Sequence, residues 1–246
     1  MNKDNIITIL VSVIASVVIS VALASNVTSK NSGSAATANV DQAIEAYLME
    51  NPTIVRRALE AAAEQERAEA QKRVAESYKA NIKELNNADN SPFVGPKDAK
   101  ITIVEFFDFN CGYCKRLAPA MMKIIKANPD VKFVFKPVTF LGSMPVAKAA
   151  MAANEQGKFL EVYEALLTHN GQLDESAIKD AITKAGLNYD KTKEIMESDK
   201  VKDSLSAIAE LSQKVEIRGV PTLIINGEPL QAIDQAPIQA AIDNLK

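Results

Sequence analysis

The chain has 246 residues, with 28 Lys and Arg against 31 Asp and Glu, and its formal net charge is −3. This length is sufficient for one sizeable core with an appended segment. Because the sequence has neither a basic stripe nor interleaved aromatic and basic residues, nucleic acid is excluded as an expected partner. The 9 Gly and 10 Pro are too few for a disordered or fibrous chain.

The first 24 residues predict export. No charged residue occurs from Ile6 to Ala24, and Ala22-Leu23-Ala24 has the small-x-small pattern of a signal-peptidase site, which favours a cleaved signal peptide. The alternative is an uncleaved inner-membrane anchor through residues 6–24, because about 20 apolar residues suffice to cross a bilayer. In either case the rest of the chain is exported, and disulfide chemistry is permitted in such a compartment.

A flexible linker and a long helical arm are predicted next. Residues 25–39 are polar and rich in Ser, Ala and Thr, which is typical of a tether. Residues 40–88 are dense in strong helix formers, and Asn51 with Pro52 predicts a second helix start within them. A helix of roughly 35 residues is about 50 Å long, which is more than a small domain covers.

Two interpretations of this arm are open. Its apolar residues cluster towards the two ends, in 54–59 and 74–85, whereas the middle is polar and rich in Ala. The arm is either a solvated spacer or an oligomerisation arm that buries its ends against other copies of the chain in a homodimer or homotrimer, and we favour the second. A strict heptad is not sustained, so a coiled coil is argued from length and composition alone.

Residues 92–246 predict one α/β domain. An apolar strand, 101–107, is followed by a helix from Cys111 to about Ala127 and by a second strand, 131–138, which gives a parallel βαβ unit. An inserted helical domain of four or five short helices is predicted at about 143–214. The chain then closes with a β-rich segment and a last helix, so a small sheet is interrupted by a helical insert.

The only two cysteines, Cys111 and Cys114, lie in the stretch FFDFNCGYCKR, where a strand is expected to meet a helix. A zinc site requires about four ligands, and the chain has one His and no third Cys, so no metal cofactor is expected. A structural disulfide across so short a loop would remove little chain entropy. A redox pair fits best, because a helix N-terminus favours a thiolate at Cys111 and Cys114 follows one turn later.

The motif VEFFDFNCGYCKR, followed much later by RGVPTLIING, resembles the DsbA family of thioredoxin-fold thiol-disulfide oxidoreductases. The likeness covers about residues 92–246 and includes the helical insert. The long arm before the domain is similar in layout to oligomeric DsbA-like proteins of the ScsC type. The resemblance implies an α/β thioredoxin fold with an inserted helical domain, preceded by a long N-terminal helical arm.

The resemblance also implies roles for the residues of the first motif. Cys111 would be the solvent-facing nucleophile, and Cys114 would be the resolving cysteine. Gly112 and Tyr113 form the intervening dipeptide, which tunes the redox potential in the family. No organic cofactor is implied, because the two thiols carry the electrons.

Further site residues are implied by the second motif and by the first strand. Pro221 matches the family's cis-proline, which packs beside the disulfide and, with Val220 and Thr222, would bind an extended substrate strand. Glu105 matches a buried carboxylate that helps to move the proton of the resolving thiol, and the alternative is that it faces solvent at the edge of its strand. Lys136, on the next strand, is the expected partner of Glu105.

The expected function is disulfide oxidation or isomerisation in exported, periplasmic proteins. Strongly oxidising family members carry a His between the cysteines, whereas this chain has Gly112 and Tyr113, which are similar to the dipeptide of the periplasmic isomerases. A less stabilised thiolate makes a weaker oxidant. Together with an oligomer, this favours isomerase or mixed oxidase–isomerase activity.

Two kinds of partner are expected: unfolded or misfolded exported proteins, and a membrane redox partner of the DsbB or DsbD type that resets the cysteine pair. Three alternatives are open. The chain would be a plain dithiol oxidase if the arm is only a spacer. It would be a non-enzymatic periplasmic holdase, or a copper-stress binding protein whose thiols take a soft ion, if the cysteines do not turn over.

Overall fold

The computed structural model describes residues 33–231 and 233–246 of the chain. The chain divides into two compact units, one ending at Glu66 and the other running from Arg67 to Lys246. The signal peptide or anchor predicted for residues 1–24 lies outside the described residues. Within the described ranges, no helix is both long enough and apolar enough to span a membrane.

The first helix, α1, spans Gly33–Glu50. It therefore begins inside the segment 25–39 that we expected to be a linker, and this expectation is wrong from Gly33 onward. The physical reason is local: after the first residue, GSAATANV contains neither Gly nor Pro, and its three Ala residues have the highest helix propensity.

The second helix, α2, spans Pro52–Ala80. The two helices are separated at Asn51, as the sequence predicted, because Pro52 has no N–H with which to continue the first helix. The side-chain amide of Asn51 donates to the carbonyl oxygen of Tyr47 at 2.9 Å, so it binds the end of the preceding helix.

The second unit is built on a mixed five-stranded sheet. Its strands are β1 (Phe93–Val94), β2 (Thr102–Phe107), β3 (Lys132–Pro137), β4 (Thr222–Ile225) and β5 (Glu228–Leu230). They lie in the order β1-β3-β2-β4-β5, with β2 parallel to β3 and the other neighbouring pairs antiparallel. Strand β2 is central and wholly buried, as its apolar sequence predicts.

Among the described residues, the second unit contains eight further helices. They are α3 (Ile82–Asn86), α4 (Gly112–Ala127), α5 (Met144–Asn154), α6 (Phe159–Leu167), α7 (Glu175–Lys184), α8 (Tyr189–Met196), α9 (Asp199–Lys214) and α10 (Gln235–Asp243). Helices α5 to α9 lie between β3 and β4, where the sequence predicts an insert. Asp174, Asn188 and Ser198 cap α7, α8 and α9 by accepting a backbone N–H from the residue three positions on.

The second unit begins earlier in the chain than the sequence suggested. Tyr78, near the end of α2, is 3% exposed, and Leu85 of α3 is fully buried; both belong to the same apolar core as β2. The core of the second unit therefore extends N-terminal to the domain start expected at 92, into the segment 40–88 that we predicted to be the arm. The apolar side chains that we assigned to contacts with other copies, at the C-terminal end of the arm, instead cover the unit's own core.

Candidate active site

Cys111 lies at the N-terminal end of α4, just after the chain leaves β2. Its backbone is extended (φ −79°, ψ 119°), and its carbonyl oxygen accepts a hydrogen bond from the amide of Lys115 at 3.0 Å, so the helix begins at the next residue. The first N–H groups of a helix have no acceptor within the helix, and the helix dipole stabilises negative charge at this end. The sulfur of Cys111 therefore occupies the position that the sequence predicted.

The two cysteines differ in exposure in the expected order. Cys111 is 6% exposed, which is less than a solvent-facing residue would be, and Cys114 is fully buried. Both are free thiols. Burial raises the pKa of the Cys114 thiol well above its usual range, and a negative charge on Glu105 raises it further, whereas the backbone amide of Asp108 acts in the opposite direction. Cys114 therefore needs a proton acceptor before it can react as a thiolate.

The segment before β4 passes directly beside Cys111. The Val220–Pro221 peptide bond is cis, as the family resemblance implied. The thiol of Cys111 donates to the carbonyl oxygen of Val220, with 3.3 Å between sulfur and oxygen. Thr222 begins β4 and donates through its hydroxyl to the carbonyl oxygen of Gly219 at 2.7 Å. The structure thus brings the cis-proline segment and Cys111 together.

Glu105 is buried in the middle of the central strand, so the alternative that it faces solvent is wrong. Its carboxylate accepts a hydrogen bond from the hydroxyl of Tyr163, at 3.0 Å to Oε2 and 3.3 Å to Oε1. Burial raises the pKa of Glu105 from 4.5 to about 8, and the hydrogen bond from Tyr163 acts against this rise. Glu105 therefore exchanges a proton near neutral pH, and its charge acts on Cys114.

Lys136 does not partner Glu105, so this expectation is wrong. In the parallel pair of β2 and β3, Glu105 lies opposite Phe135 and Phe106 lies opposite Lys136. Paired residues project on the same face of a sheet, and successive residues of a strand project on opposite faces. The side chain of Lys136 therefore lies on the face away from Glu105.

Lys136 has another set of contacts. Its Nζ donates to Ser91 Oγ at 3.0 Å and to the carbonyl oxygen of Asn87 at 3.3 Å, and Lys132 Nζ donates to the carbonyl oxygen of Asn86 at 2.8 Å. Burial lowers the pKa of Lys136 to about 8, and the charge of Lys132 lowers it as well. These two lysines of β3 bind the end of α3 and the segment between α3 and β1, on the sheet face opposite to Glu105.

The dipeptide between the cysteines lies at the surface. A Cβ atom added to Gly112 would meet nothing within 4 Å, and Tyr113 is 56% exposed. The guanidinium of Arg116 lies over the Tyr113 ring, 4.3 Å from its centroid. This places an exposed cation–π pair at residues 111–114 and the helix turn that follows; we call residues 111–114 the redox turn.

Two features of the site were not found from the sequence. Tyr163 follows Glu105 by 58 residues and comes from the inserted helices, so no local motif connects the two. The loop after β3 exposes Phe140 and Leu141 beside the redox turn, and the side-chain amide of Asn110 donates to the carbonyl oxygen of Leu141 at 3.0 Å. The sequence alone does not predict that the apolar residues of this loop are exposed, because this depends on the position of the loop in the folded protein.

In residues 33–231 and 233–246, no group of three or more His, Cys, Asp and Glu side chains is arranged to hold a metal ion.

Comparison with known proteins places this arrangement in a family. The family model described as thioredoxin matches residues 87–244, more than half of the chain, and the chain belongs to this family. The catalytic domain of ScsC from Proteus mirabilis is 30% identical, with a TM-score of 0.62, and the match covers 70% of this chain and 97% of that domain. A linker-deletion mutant of the same ScsC is 27% identical, with a TM-score of 0.64, and covers 89% of this chain and 98% of that one.

Curated relatives include proteins of two kinds. The thiol:disulfide interchange protein DsbA of Pseudomonas syringae pv. tomato is 29% identical over 137 residues, which are 52% of this chain and 64% of that protein. The Na(+)/H(+) antiporter NhaA 1 of Salinispora arenicola is 27% identical over 137 residues, or 54% of this chain. The chain spans only about a fifth of the length of the first curated relatives that it matches, all of them antiporters.

These similarities confirm the predicted fold class, a thioredoxin fold with inserted helices, and the resemblance to DsbA-like and ScsC-type proteins. The names of DsbA and ScsC relatives agree with the predicted class of enzyme, the thiol-disulfide oxidoreductases.

Proposed function

We propose that this chain is an exported thiol-disulfide oxidoreductase that exchanges disulfides with unfolded or misfolded exported proteins. The observation that carries the proposal is the position of Cys111: it lies at the start of α4, 3.3 Å from the carbonyl oxygen of Val220, with Cys114 buried one helical turn further on. Its periplasmic location is proposed from the apolar run 6–24, whether this run is cleaved or serves as an anchor.

The proposed reaction begins at Cys111. Its thiolate attacks one sulfur of a substrate disulfide, the S–S bond breaks, and the second substrate sulfur leaves as a thiolate. A mixed disulfide now joins Cys111 to the substrate. Cys114 attacks the Cys111 sulfur, which releases the first substrate sulfur and closes the Cys111–Cys114 disulfide. Two electrons have passed from the dithiol to the substrate, and oxidation of a substrate dithiol is the same sequence in reverse.

Proton transfer from Cys114 is assigned to Glu105. The thiol of Cys114 is buried and must be deprotonated to attack, and the charge of Glu105 acts directly on it. A general base is most effective when its pKa lies near the working pH, and the pKa of Glu105 is about 8. Glu105 therefore takes the proton during resolution and returns it in the oxidising direction.

A substrate chain is proposed to bind along Val220, Pro221 and Thr222. The carbonyl oxygen of Val220 accepts a hydrogen bond from the thiol of Cys111. Leu141, whose carbonyl oxygen accepts a hydrogen bond from Asn110 next to Cys111, is exposed, as is Phe140. An apolar surface at this position suits unfolded proteins, because they expose the apolar side chains that folded proteins bury.

We further propose that the chain leans towards isomerase or mixed oxidase–isomerase activity. No imidazole stands between the cysteines to stabilise the thiolate, and stabilisation of the reduced form is what makes such a pair strongly oxidising. In this proposal a membrane protein of the DsbD type keeps the pair reduced. A plain oxidase would instead need a DsbB-like partner that withdraws electrons.

A second copy of the chain is the proposed partner of the arm. The first unit leaves large apolar side chains exposed: Val40, Ile44, Tyr47, Met49 and Leu59. Ile44 and Tyr47 lie three positions apart and Val40 four before Ile44, so the three share one helix face. A face of this kind is covered in helical oligomers by the same face of another copy, which gives a homodimer or homotrimer.

The proposed function is tested with residues 25–246 in two assays, reactivation of scrambled ribonuclease and oxidation of reduced ribonuclease. We expect measurable activity in at least the first, and loss of both activities in Cys111→Ser. Turnover that survives this substitution would refute the proposal. A wild-type chain that is inactive in both assays, yet suppresses aggregation, would point to the holdase alternative.

A further inference from the structure

A buried tyrosine of the inserted helices touches the carboxylate that the proposed reaction uses as a base. Tyr163 lies on α6 and is fully buried, and its hydroxyl donates to Glu105 at 3.0 Å to Oε2 and 3.3 Å to Oε1. None of the steps proposed above gives this hydroxyl a role. A buried hydroxyl aimed at a buried carboxylate is nevertheless in a position to control the state of that carboxylate.

The surroundings of the pair are otherwise apolar. On the two neighbouring strands Glu105 lies opposite Phe135 of β3 and Leu223 of β4. The Tyr163 ring packs among aromatic rings at centroid distances of 5.1 Å to Phe107, 5.1 Å to Phe135 and 5.6 Å to Phe159.

The titratable groups that face Glu105 are therefore few in the described part of the chain. They are Tyr163 from α6 and Cys114 from α4, and these three groups act on one another electrostatically. Lys136, the nearest basic residue along β3, projects on the other face of the sheet. A hydroxyl thus occupies the place beside Glu105 where the sequence led us to expect an ammonium group.

We infer that Tyr163 is a positioning residue of the redox reaction: its hydroxyl holds the Glu105 carboxylate towards Cys114 and stabilises the ionised form that accepts the proton. The inference rests on the proposed function. In the step concerned, the S–H proton of Cys114 moves to Glu105, and the Cys114 sulfur bonds to that of Cys111. The bond from Cys111 to the substrate breaks, and the substrate sulfur leaves as a thiolate.

The hydroxyl keeps its own proton throughout. Burial raises the pKa of Tyr163 well above 10, and the charge of Glu105 raises it further, so at neutral pH the hydroxyl stays protonated and can donate to the ionised carboxylate. A hydrogen bond donated to a carboxylate favours the ionised form, whereas burial favours the protonated form. Without the hydroxyl, Glu105 would stay protonated to higher pH, and fewer molecules would hold an active base at pH 7.

The test compares Tyr163→Phe with the wild type, and uses Tyr189→Phe as the matched control. Tyr189 is a half-buried tyrosine of the insert whose hydroxyl also binds a carboxylate, that of Glu175, but this carboxylate is exposed and plays no part in the site. Reduced protein is mixed with glutathione disulfide, and the rate of Cys111–Cys114 closure is followed from pH 5 to pH 10.

For Tyr163→Phe we expect the midpoint of the pH–rate profile to rise by about one to two pH units, since a hydrogen bond to a charged group has about that effect on a pKa. The rate at pH 7 should fall by roughly tenfold or more for the same reason. Tyr189→Phe should follow the wild-type profile.

A second readout does not depend on turnover. The 13C chemical shift of the Glu105 carboxyl carbon, followed by NMR, should titrate at higher pH in Tyr163→Phe than in the wild type. The inference is overturned if both the rate profile and the carboxyl titration of Tyr163→Phe coincide with those of the wild type while Glu105→Gln alters the profile. Failure of the proposed function is recognised separately, because Cys111→Ser would then keep the wild-type activity in the ribonuclease assays.

Discussion

The backbone amide of Leu141 donates to the carboxylate of Asp108 at 2.9 Å and so ties the loop after β3 to the turn that precedes Cys111. The other carboxylate oxygen of Asp108 accepts from the amide of Asn110 at 2.8 Å, and the carbonyl oxygen of Asp108 accepts from the amide of Cys111 at 3.0 Å. One fully buried acidic side chain thus connects the redox turn to the exposed apolar loop beside it.

Asp108→Ala should destabilise the protein. The substitution removes the acceptor of two backbone N–H groups, and each unpaired donor costs about 1–3 kcal/mol where water does not replace the partner. We expect the free energy of unfolding in urea to fall by about 2 kcal/mol or more. The control is Asp203→Ala, on an exposed position of α9, which should change it by less than about 0.5 kcal/mol. Equal effects of the two substitutions would contradict the role of Asp108.

Glu105→Gln should make the protein more stable at alkaline pH. The pKa of Glu105 is about 8 in the folded protein against 4.5 ordinarily, so between these values the folded state binds more protons than the unfolded state. The contribution of Glu105 to the free energy of unfolding is thus fully present below about pH 4.5. It is lost as the pH rises to about 8, at up to about 1.4 kcal/mol per pH unit.

The measurement for Glu105→Gln is the free energy of unfolding at several pH values from 4 to 9. The difference between variant and wild type should grow in favour of the variant across this window, because glutamine does not ionise. The same variant should close the Cys111–Cys114 disulfide more slowly than the wild type. Parallel pH–stability curves for the two proteins would rule out a raised pKa at Glu105.

Cys114→Ser should trap the mixed disulfide. In the proposed reaction the buried sulfur of Cys114 resolves the mixed disulfide, so without it a substrate should stay bonded to Cys111. Reaction with a disulfide-containing unfolded protein should give a covalent adduct on a non-reducing gel, which dithiothreitol releases. Cys111→Ser should give no such adduct. The reverse pattern, with an adduct only in Cys111→Ser, would exchange the roles of the two cysteines.

A chain that starts at Asn90 should be much less stable than one that starts at Arg67. The shorter chain lacks Tyr78 and Leu85, both buried in the core, and loss of one such large side chain costs about 2–5 kcal/mol. Urea unfolding of the two fragments measures the difference. Equal stabilities would mean that the end of α2 and helix α3 are dispensable, and would restore the domain boundary near 92.

Ile44→Glu should weaken self-association of residues 25–246. Ile44 is an exposed apolar residue of α1, and a charge at this position would have to be buried between copies. Sedimentation equilibrium should show that the association constant of the variant is lower than that of the wild type by roughly tenfold or more, with a corresponding shift from oligomer to monomer. Gln42→Glu, at an exposed position two residues earlier and therefore on another face of the same helix, should change it little. A wild-type chain that is monomeric at all concentrations would leave the arm as a spacer.

The sequence predicted the fold well because its strongest signals are local. The apolar run of β2, the CGYC turn and the cis-proline motif each lie within a few neighbouring residues, and they indicate the central strand and the position of Cys111 at the start of a helix. The helix break at Asn51 was equally local, since a single proline causes it.

The errors concern relationships between distant residues. Whether the ammonium group of Lys136 or the hydroxyl of Tyr163 faces Glu105 depends on the register of β2 and β3 and on how α6 packs. Lys136 follows the residue that pairs with Glu105 by one position, so its side chain projects on the other face of the sheet. We predicted that the C-terminal end of the arm contacts other copies of the chain. An apolar helix face indicates that it is buried, but it does not indicate whether it packs against the same chain or against another copy. Tyr78 and Leu85 are covered by their own core.

Strand β3 serves two unrelated tasks with alternate residues. Lys132 and Lys136 hold the segment before β1 on one face, and Phe135 lines the surroundings of Glu105 and Tyr163 on the other. An insertion or deletion of one residue within the strand would exchange these faces and place ammonium groups beside the redox site. We therefore expect β3 to tolerate single substitutions better than any change in its number of residues, whereas the exposed turns of the insert can vary in length.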